Sequence, residues 1–498
     1  MTRFQVGLTL LAALCCSAVL AAQTAELAAR SQAASRAMQA GQFEDAARMY
    51  RDLLQAVPDD PGLLMNLGMA LAMGGREADA IAPLQKAVAL NPKLIPAQLF
   101  LGSSYLARGE AGNAIAPLER VVAAQPSDVE SRRMLGQAYS ATGRTADAVS
   151  QLRRITELAP ALPAAWHALG HAYNLLTQDA MSTFDDRAED APWRQLLLAD
   201  ALAADGRLTD AFAIYRSVLA ELPSMVSIHD SIARIYGQTG HAEWSKVERQ
   251  RGVLPAAQCA KRKALCQFRA GRYRAALVEA LNGSDAESRY WRARAATALA
   301  LAAFKRLDGL PDSRERREVR ATLARSQRRY LDAIAELQHA LKFAPGDQGL
   351  LDDLGTSYYF AKDYEQALGT LAPLVKANPG DVRLLTVYGD SLLQLQRVDE
   401  ALPALKRAVE LDPSYAMARL TLGRAYAQTG DHAAAIPLIE SQLAQDHDGS
   451  LHVQLARSYI SIGQKEKAAA LMERSQEIQR AAQERSAAAG QRAITPPK

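Results

Sequence analysis

The chain has 498 residues and a formal net charge of +4, and 49% of its residues are hydrophobic while only 6% are aromatic. This length suggests about three globular domains if the chain is not built from repeats. The few aromatic residues, the many alanines and the absence of an alternating β-branched pattern favour closely packed helices and exclude a substantial β-sheet.

Residues 1–22 are predicted to be a secretory signal peptide. They contain one Arg, an apolar run from Val6 to Leu20, and alanines at the two positions before the expected cleavage point. The run is too short and too poorly flanked for a typical spanning helix, although an uncleaved anchor is the alternative. A lipoprotein is disfavoured because neither Cys15 nor Cys16 follows a small residue. We therefore expect a periplasmic or secreted protein whose mature chain has no transmembrane segment.

From about residue 27 to about residue 482 the sequence repeats with a period of 34 residues. Three ladders of small or helix-ending residues show the period: Gly68, Gly102, Gly136 and Gly170; Ala46, Ala80, Ala114 and Ala148; Pro58, Pro92, Pro126 and Pro160. Between them lie two amphipathic segments of about a dozen residues, joined by a short Gly-containing turn. Each repeat is therefore predicted to be a helical hairpin whose apolar face is buried by the next copy.

The residues at fixed offsets within each hairpin resemble the tetratricopeptide repeat. The pattern is carried by Trp166, Leu169, Gly170 and Tyr173, and again by Leu422, Gly423, Tyr426, Gly430 and Ala435. The resemblance implies an all-α fold, a right-handed superhelical solenoid of about fourteen such hairpins. It also implies a non-catalytic scaffold that binds other proteins.

The 34-residue frame slips twice. Pro160 and Pro223 are 63 residues apart rather than 68, which indicates a unit whose second helix is shortened or rebuilt, and a second slip lies between residues 252 and 314. After residue 482 we expect a helical extension and then a disordered end at residues 494–498. The predicted segments are the signal peptide (1–22), an N-terminal array (23–251), an irregular basic segment (252–347), a C-terminal array (348–482) and a tail (483–498).

The resemblance implies that the first helix of each hairpin lines a concave groove. The candidate protein-binding residues on this face are Met65, Met69, Met73, Leu99, Leu106, His167, His171 and Asp200. Methionine suits varied partners, although the same methionines could instead be core between helices, or thioether ligands of copper. The histidine pair lacks the motif of zinc proteases, so we predict hydrogen bonding to a ligand and no metal.

The middle of the chain is basic. Residues 246–329 hold 21 Lys and Arg against eight Asp and Glu. The candidate residues for an anionic partner, such as an acidic protein or an exported polysaccharide, are Arg314, Arg317, Arg320, Arg325, Arg328 and Arg329. The alternative is a solvated surface that is partly self-paired, and nucleic acid is not expected.

Cleavage of the signal peptide would leave two cysteines, Cys259 and Cys266. In one continuous helix their Cα atoms would be about 10 Å apart, too far for a disulfide. A bond requires Cys259 to lie before the helix and fold back, which Pro255 would permit. Enzyme motifs and cofactor motifs are absent from the sequence, so the predicted function is partner binding in the cell envelope or a secretion assembly, with anionic-polymer binding as the alternative.

Overall fold

The structure is a computed structural model that describes residues 25–184, 190–223, 225–490 and 493–497. The predicted signal peptide lies outside the described residues. The chain divides into two compact units, the first ending at Leu176 and the second beginning at Thr177. Among the described residues all regular structure is helical, without any strand, and no helix is long and apolar enough to span a membrane.

The first unit contains eight helices and most of a ninth. They are α1 (25–39), α2 (Phe43–Ala56), α3 (Pro61–Met73), α4 (Glu77–Leu90), α5 (Ile95–Ala107), α6 (Ala111–Ala124), α7 (Val129–Ala141), α8 (Thr145–Leu158) and α9 (Pro163–Ser182). Consecutive helices pack side by side along the chain. The unit is therefore a stack of helical hairpins, as the repeat predicts.

The second unit is also built of helices. Its helices are α10 (Ala191–Ala204), α11 (Leu208–Glu221), α12 (Val226–Gln238), α13 (Ala242–Arg251), α14 (Ala256–Lys261), α15 (Lys263–Arg269), α16 (Tyr273–Leu281), α17 (Ala286–Asp308), α18 (Arg314–Ser326), α19 (Tyr330–Phe343), α20 (Gln348–Phe360), α21 (Tyr364–Ala377), α22 (Val382–Gln394), α23 (Val398–Leu411), α24 (Ala416–Gln428), α25 (His432–Glu440), α26 (Ser450–Ser461) and α27 (Lys465–Gly490).

The hairpins follow from local signals in each repeat. Asp60, Asp128, Asp347 and Asp381 accept a hydrogen bond from the backbone N–H three residues later and so cap the first helices. Glycine in the left-handed region, such as Gly75 at φ 75°, forms the turn between the two helices. Leucine and alanine of both helices then form the buried core.

The two slips of the repeat frame correspond to two long helices. The helix α9 has 20 residues and α17 has 23. At the first slip the lengthened helix is the first helix of its unit, α9, and the next α-helix among the described residues is α10. Within the second unit, the hydroxyl of Thr177 near the end of α9 lies 3.4 Å from the carbonyl oxygen of Ala293 in α17, so each long helix packs on the other.

The expected disordered end is wrong for residues 493–497. Ile494 packs against the apolar cluster of the second unit, and the hydroxyl of Tyr236 donates a 2.6 Å hydrogen bond to the carbonyl oxygen of Thr495. The composition of the segment does not reveal this contact, because its partner lies 259 residues earlier in the chain.

Candidate functional site

The first helices of the first unit share one face. Adjacent first helices contact each other directly, α3 with α5 and α5 with α7. This places them on the inner side of the stack, where a partner can touch several repeats at once.

The predicted methionine and leucine residues belong to the first helices α3 and α5 and lie at the edge of the core. Met65 and Met69 are half-buried and Met73 is 48% exposed. Leu99 and Leu106 are half-buried and, like Met65, pack against the core cluster of the unit. Each of these side chains therefore contributes to the core with one side and presents apolar surface with the other.

An apolar cavity of about 460 Å³ lies between α7, α8 and α9. Its walls include Leu152 and Ile155 of α8, and Ala168, His171 and Leu175 of α9. A space of this size accepts one or two large apolar side chains of a partner or a small ligand.

The cavity lies where one helix crossing is loose. A Cβ atom on Gly68 would lie 2.4 Å from Cγ of Leu84, and the corresponding distances at Gly102, Gly355 and Gly389 are each 2.6 Å. At Gly136, a Cβ atom would lie 3.6 Å from Cγ of Leu152. The α7–α8 crossing therefore leaves about 1 Å more space than these four crossings, which contributes to the opening.

The sequence analysis missed this cavity, although a signal was present. Ala168 occupies the position that Phe100 and Met134 occupy in the two preceding repeats. A small side chain that replaces two large ones leaves space unless another group fills it.

The predicted histidine pair lies beside this cavity. The Nε2 atoms of His167 and His171 are 3.1 Å apart, and the rings meet edge to face. Desolvation of the imidazole lowers the pKa of His171 below its usual value. The lowered pKa disfavours the charged form of His171, which suits an apolar cavity wall.

Asp200 belongs to the second unit and has a different environment from the other predicted groove residues. Its carboxylate accepts hydrogen bonds from the hydroxyls of Tyr215 at 2.6 Å and Tyr290 at 3.0 Å, and it lies 3.3 Å from Nε of Arg294. The Arg294 side chain is only 12% exposed and lies over three aromatic rings. Asp200 is therefore the counter-ion of a buried guanidinium.

The predicted anionic-partner arginines are mostly engaged in ion pairs. Arg314 pairs with Asp347, Arg317 with Asp312 and Glu336, Arg320 with Asp308, Arg325 with Asp353, and Arg329 with Asp332. Within the described part of the chain Arg328 forms no ion pair, and it lies in a turn at φ 57°. Much of the positive charge of this segment is thus balanced locally, which weakens its field toward solution.

Two further features concern metal and sulfur chemistry. In the described ranges no three His, Cys, Asp or Glu side chains come together as metal ligands. Cys259 and Cys266 form a disulfide, with Cα atoms 5.6 Å apart. The short Cα distance arises because the chain breaks its helix at Arg262, between α14 and α15, rather than placing Cys259 before a helix.

Comparison with protein families gives matches to three tetratricopeptide repeat models. One matches residues 31–95, 353–416 and 389–450, the second matches residues 105–172, and the third matches residues 449–481. Together these matches cover just over half of the chain. No curated protein sequence matches it.

Several solved structures match part of the chain. A structure titled MamA protein is 26% identical, covers 30% of this chain and 81% of its own, and has a TM-score of 0.29. A second MamA structure is 28% identical over 28% of this chain and 82% of its own, with a TM-score of 0.27. MamA 41-end from Desulfovibrio magneticus RS-1 is 25% identical over 30% and 84%, with a TM-score of 0.29. At these TM-scores the likeness supports no inference about function.

Proposed function

Because the chain belongs to the tetratricopeptide repeat family, we propose that it is a non-catalytic scaffold that holds an apolar segment of a partner protein on the inner face of its first unit. The proposal is supported by two observations, the partly exposed side chains of Met65 and Met69 on α3 and the 460 Å³ apolar cavity beside α9, which are separate apolar sites on the surface of this unit. An amphipathic helix or extended segment with spaced apolar residues would place its anchors at these sites.

We further propose that the protein acts outside the cytoplasm. The N-terminal sequence has the pattern of a signal peptide, and the Cys259–Cys266 disulfide is of a kind that persists in oxidising compartments. Its partners would then belong to the cell envelope or to a secretion assembly.

The alternative, an accessory factor that binds an anionic envelope polymer, is less well supported. It depends on the predicted arginines of α18, and each of these pairs with a carboxylate: Arg314, Arg317, Arg320 and Arg325. Arg328 and Arg329 lie just beyond the helix. Arg329 itself pairs with Asp332. A polyanion would have to displace several ion pairs to bind here.

Site-specific photo-crosslinking in the native host tests the groove. A photoreactive amino acid replaces Met69 in one variant and, as a matched control, Met49 in another, because Met49 is 39% exposed on the second helix α2. We expect one dominant protein adduct at position 69 that survives washing in about 1 M salt, and none at position 49, because apolar contacts are insensitive to ionic screening.

Two outcomes would contradict the groove assignment. Equal adducts at positions 49 and 69 would mean that contact is unselective. Adducts only with a probe at Arg328, lost at about 1 M salt, would favour the polyanion alternative.

A further inference from the structure

The tail of the chain, residues 493–497, contacts α12 in the second unit. The hydroxyl of Tyr236 donates to the carbonyl oxygen of Thr495 at 2.6 Å, and the half-buried side chain of Ile494 packs against the cluster that contains Tyr236. Thr495 and Pro496 are exposed, so the tail contributes little buried surface to the fold.

The hydroxyl of Tyr236 is available to the tail because its repeat differs from others at one position. In four other hairpins the tyrosine hydroxyl of the first helix is bonded to a side chain 19 or 20 residues earlier. Tyr139 donates to Glu119 and Tyr459 donates to Glu440, whereas Tyr105 accepts from Gln85 and Tyr358 accepts from Gln338. The residue 20 positions before Tyr236 is Arg216. A guanidinium has no acceptor atom, so the Tyr236 hydroxyl donates to an acceptor outside the repeat.

The surroundings of Tyr236 are aromatic. Trp244 meets the Tyr236 ring edge to face with centroids 5.4 Å apart, and His241 stacks on Trp244 at 4.1 Å. Phe212 lies on another side of Tyr236, at 5.5 Å. Tyr236 and Phe212 are themselves buried, so the aromatic surface beside the hydroxyl is that of the half-buried His241 and Trp244. Exposed aromatic side chains bind extended, proline-containing segments, whose rigid backbone loses little entropy on binding.

The tail has this chemistry. Two consecutive prolines, Pro496 and Pro497, fix their own φ angles and restrict the preceding residue to extended conformations. The bond from Tyr236 reaches a backbone carbonyl rather than a side chain, so any extended segment can supply that acceptor. Only Ile494 adds side-chain selectivity, through its apolar contact.

We propose that the surface around Tyr236 on α12 and α13 is a second partner-binding surface, which takes an extended protein segment with an aliphatic residue followed by prolines. The chain's own tail occupies this surface until such a partner displaces it. A contact of this size would be weak between separate molecules, but it is maintained within one chain because a tethered segment has an effective concentration in the millimolar range.

Competition between the tail and a peptide of the same sequence tests the proposal in the full-length chain. The probe is a fluorescently labelled synthetic peptide with the sequence of residues 491–498, and its binding is measured by anisotropy. The wild-type chain should bind it weakly. The variant Ile494→Glu, which removes the tail's apolar contact, should bind it about tenfold or more tightly because the surface is free.

Two variants in the Ile494→Glu background locate the binding. Tyr236→Phe should weaken peptide binding about fivefold through loss of one hydrogen bond. Arg216→Gln should weaken it as well, because the amide oxygen of glutamine offers the Tyr236 hydroxyl an internal acceptor that the guanidinium lacks. The matched control Tyr105→Phe, in the first unit, should leave binding unchanged.

The proposal is overturned if Ile494→Glu binds the peptide no better than the wild-type chain. It is also overturned if Tyr236→Phe and Arg216→Gln both bind as tightly as their parent. Thermal unfolding followed by far-UV circular dichroism shows whether the Tyr236→Phe variant is folded. If that variant is unfolded, the Arg216→Gln variant gives an independent result, because Arg216 is only half-buried. Because this surface is separate from the α3–α9 face, either result leaves the crosslinking test of that face unaffected.

Discussion

Replacing Gly68 by Ala should destabilise the first unit, whereas the same change at Gly136 should not. Both glycines occupy the same position of the repeat, in the first helix of a hairpin. A new Cβ atom at residue 68 would lie 2.4 Å from Cγ of Leu84, whereas at residue 136 it would lie 3.6 Å from Cγ of Leu152, an ordinary contact. Leu84 is fully buried and therefore has little room to move.

The magnitude follows from two opposing effects. Alanine in a helix interior is favoured over glycine by about 0.5–1 kcal/mol at both positions. Overpacking of a tight core costs about 1–3 kcal/mol, and this applies at Gly68 alone. The difference between the two variants is therefore about 1–3 kcal/mol, because the helix preference is common to both.

Thermal unfolding followed by far-UV circular dichroism measures the difference. For a unit of this size, about 1 kcal/mol shifts the melting temperature by roughly 2–4 °C, so Gly68→Ala should melt several degrees below Gly136→Ala. The Gly136→Ala variant should melt at or above the wild-type temperature. Equal melting temperatures for the two variants, or a lower one for Gly136→Ala, would refute the interpretation that the α7–α8 crossing is looser than the α3–α4 crossing.

Two further predictions concern buried charges in the second unit. Asp200→Ala should lower the free energy of unfolding by about 3–5 kcal/mol, because it leaves the guanidinium of Arg294 buried without a counter-ion; an unchanged melting temperature would contradict this structural role. Asp446→Asn should cost about 1–3 kcal/mol at neutral pH, because the carboxylate accepts hydrogen bonds from the backbone N–H groups of Gly449 and His452 and from the imidazole of His452. Burial opposes ionisation, but these hydrogen bonds hold the pKa of Asp446 below its usual value. The contribution of the Asp446 carboxylate to the free energy of unfolding should therefore be present above the unfolded pKa of about 3.9 and be lost as the pH falls through the lower folded pKa. In denaturant unfolding, the difference in free energy of unfolding between Asp446→Asn and wild type should be smaller at acidic pH.

The sequence by itself determined the repeating unit. Gly68, Leu84 and their equivalents recur every 34 residues, and because each hairpin packs only on its neighbours, a local pattern suffices to specify both the hairpin and its stacking. The family, the helical fold and the position of Met65 and Met69 on a half-exposed face all follow from this short-range information.

The tertiary structure decided the features in which distant residues meet. The ion cluster of Asp200 depends on Arg294, 94 residues later, and the tail of Ile494 and Thr495 binds Tyr236 across 259 residues. The sequence gives no periodic signal for such contacts, because they arise where the 34-residue frame is broken and the packing is no longer fixed by the neighbouring repeat. For the cavity beside His171 the small residue Ala168 is a signal in the sequence, but the volume depends on how closely three helices approach, which only the tertiary structure decides.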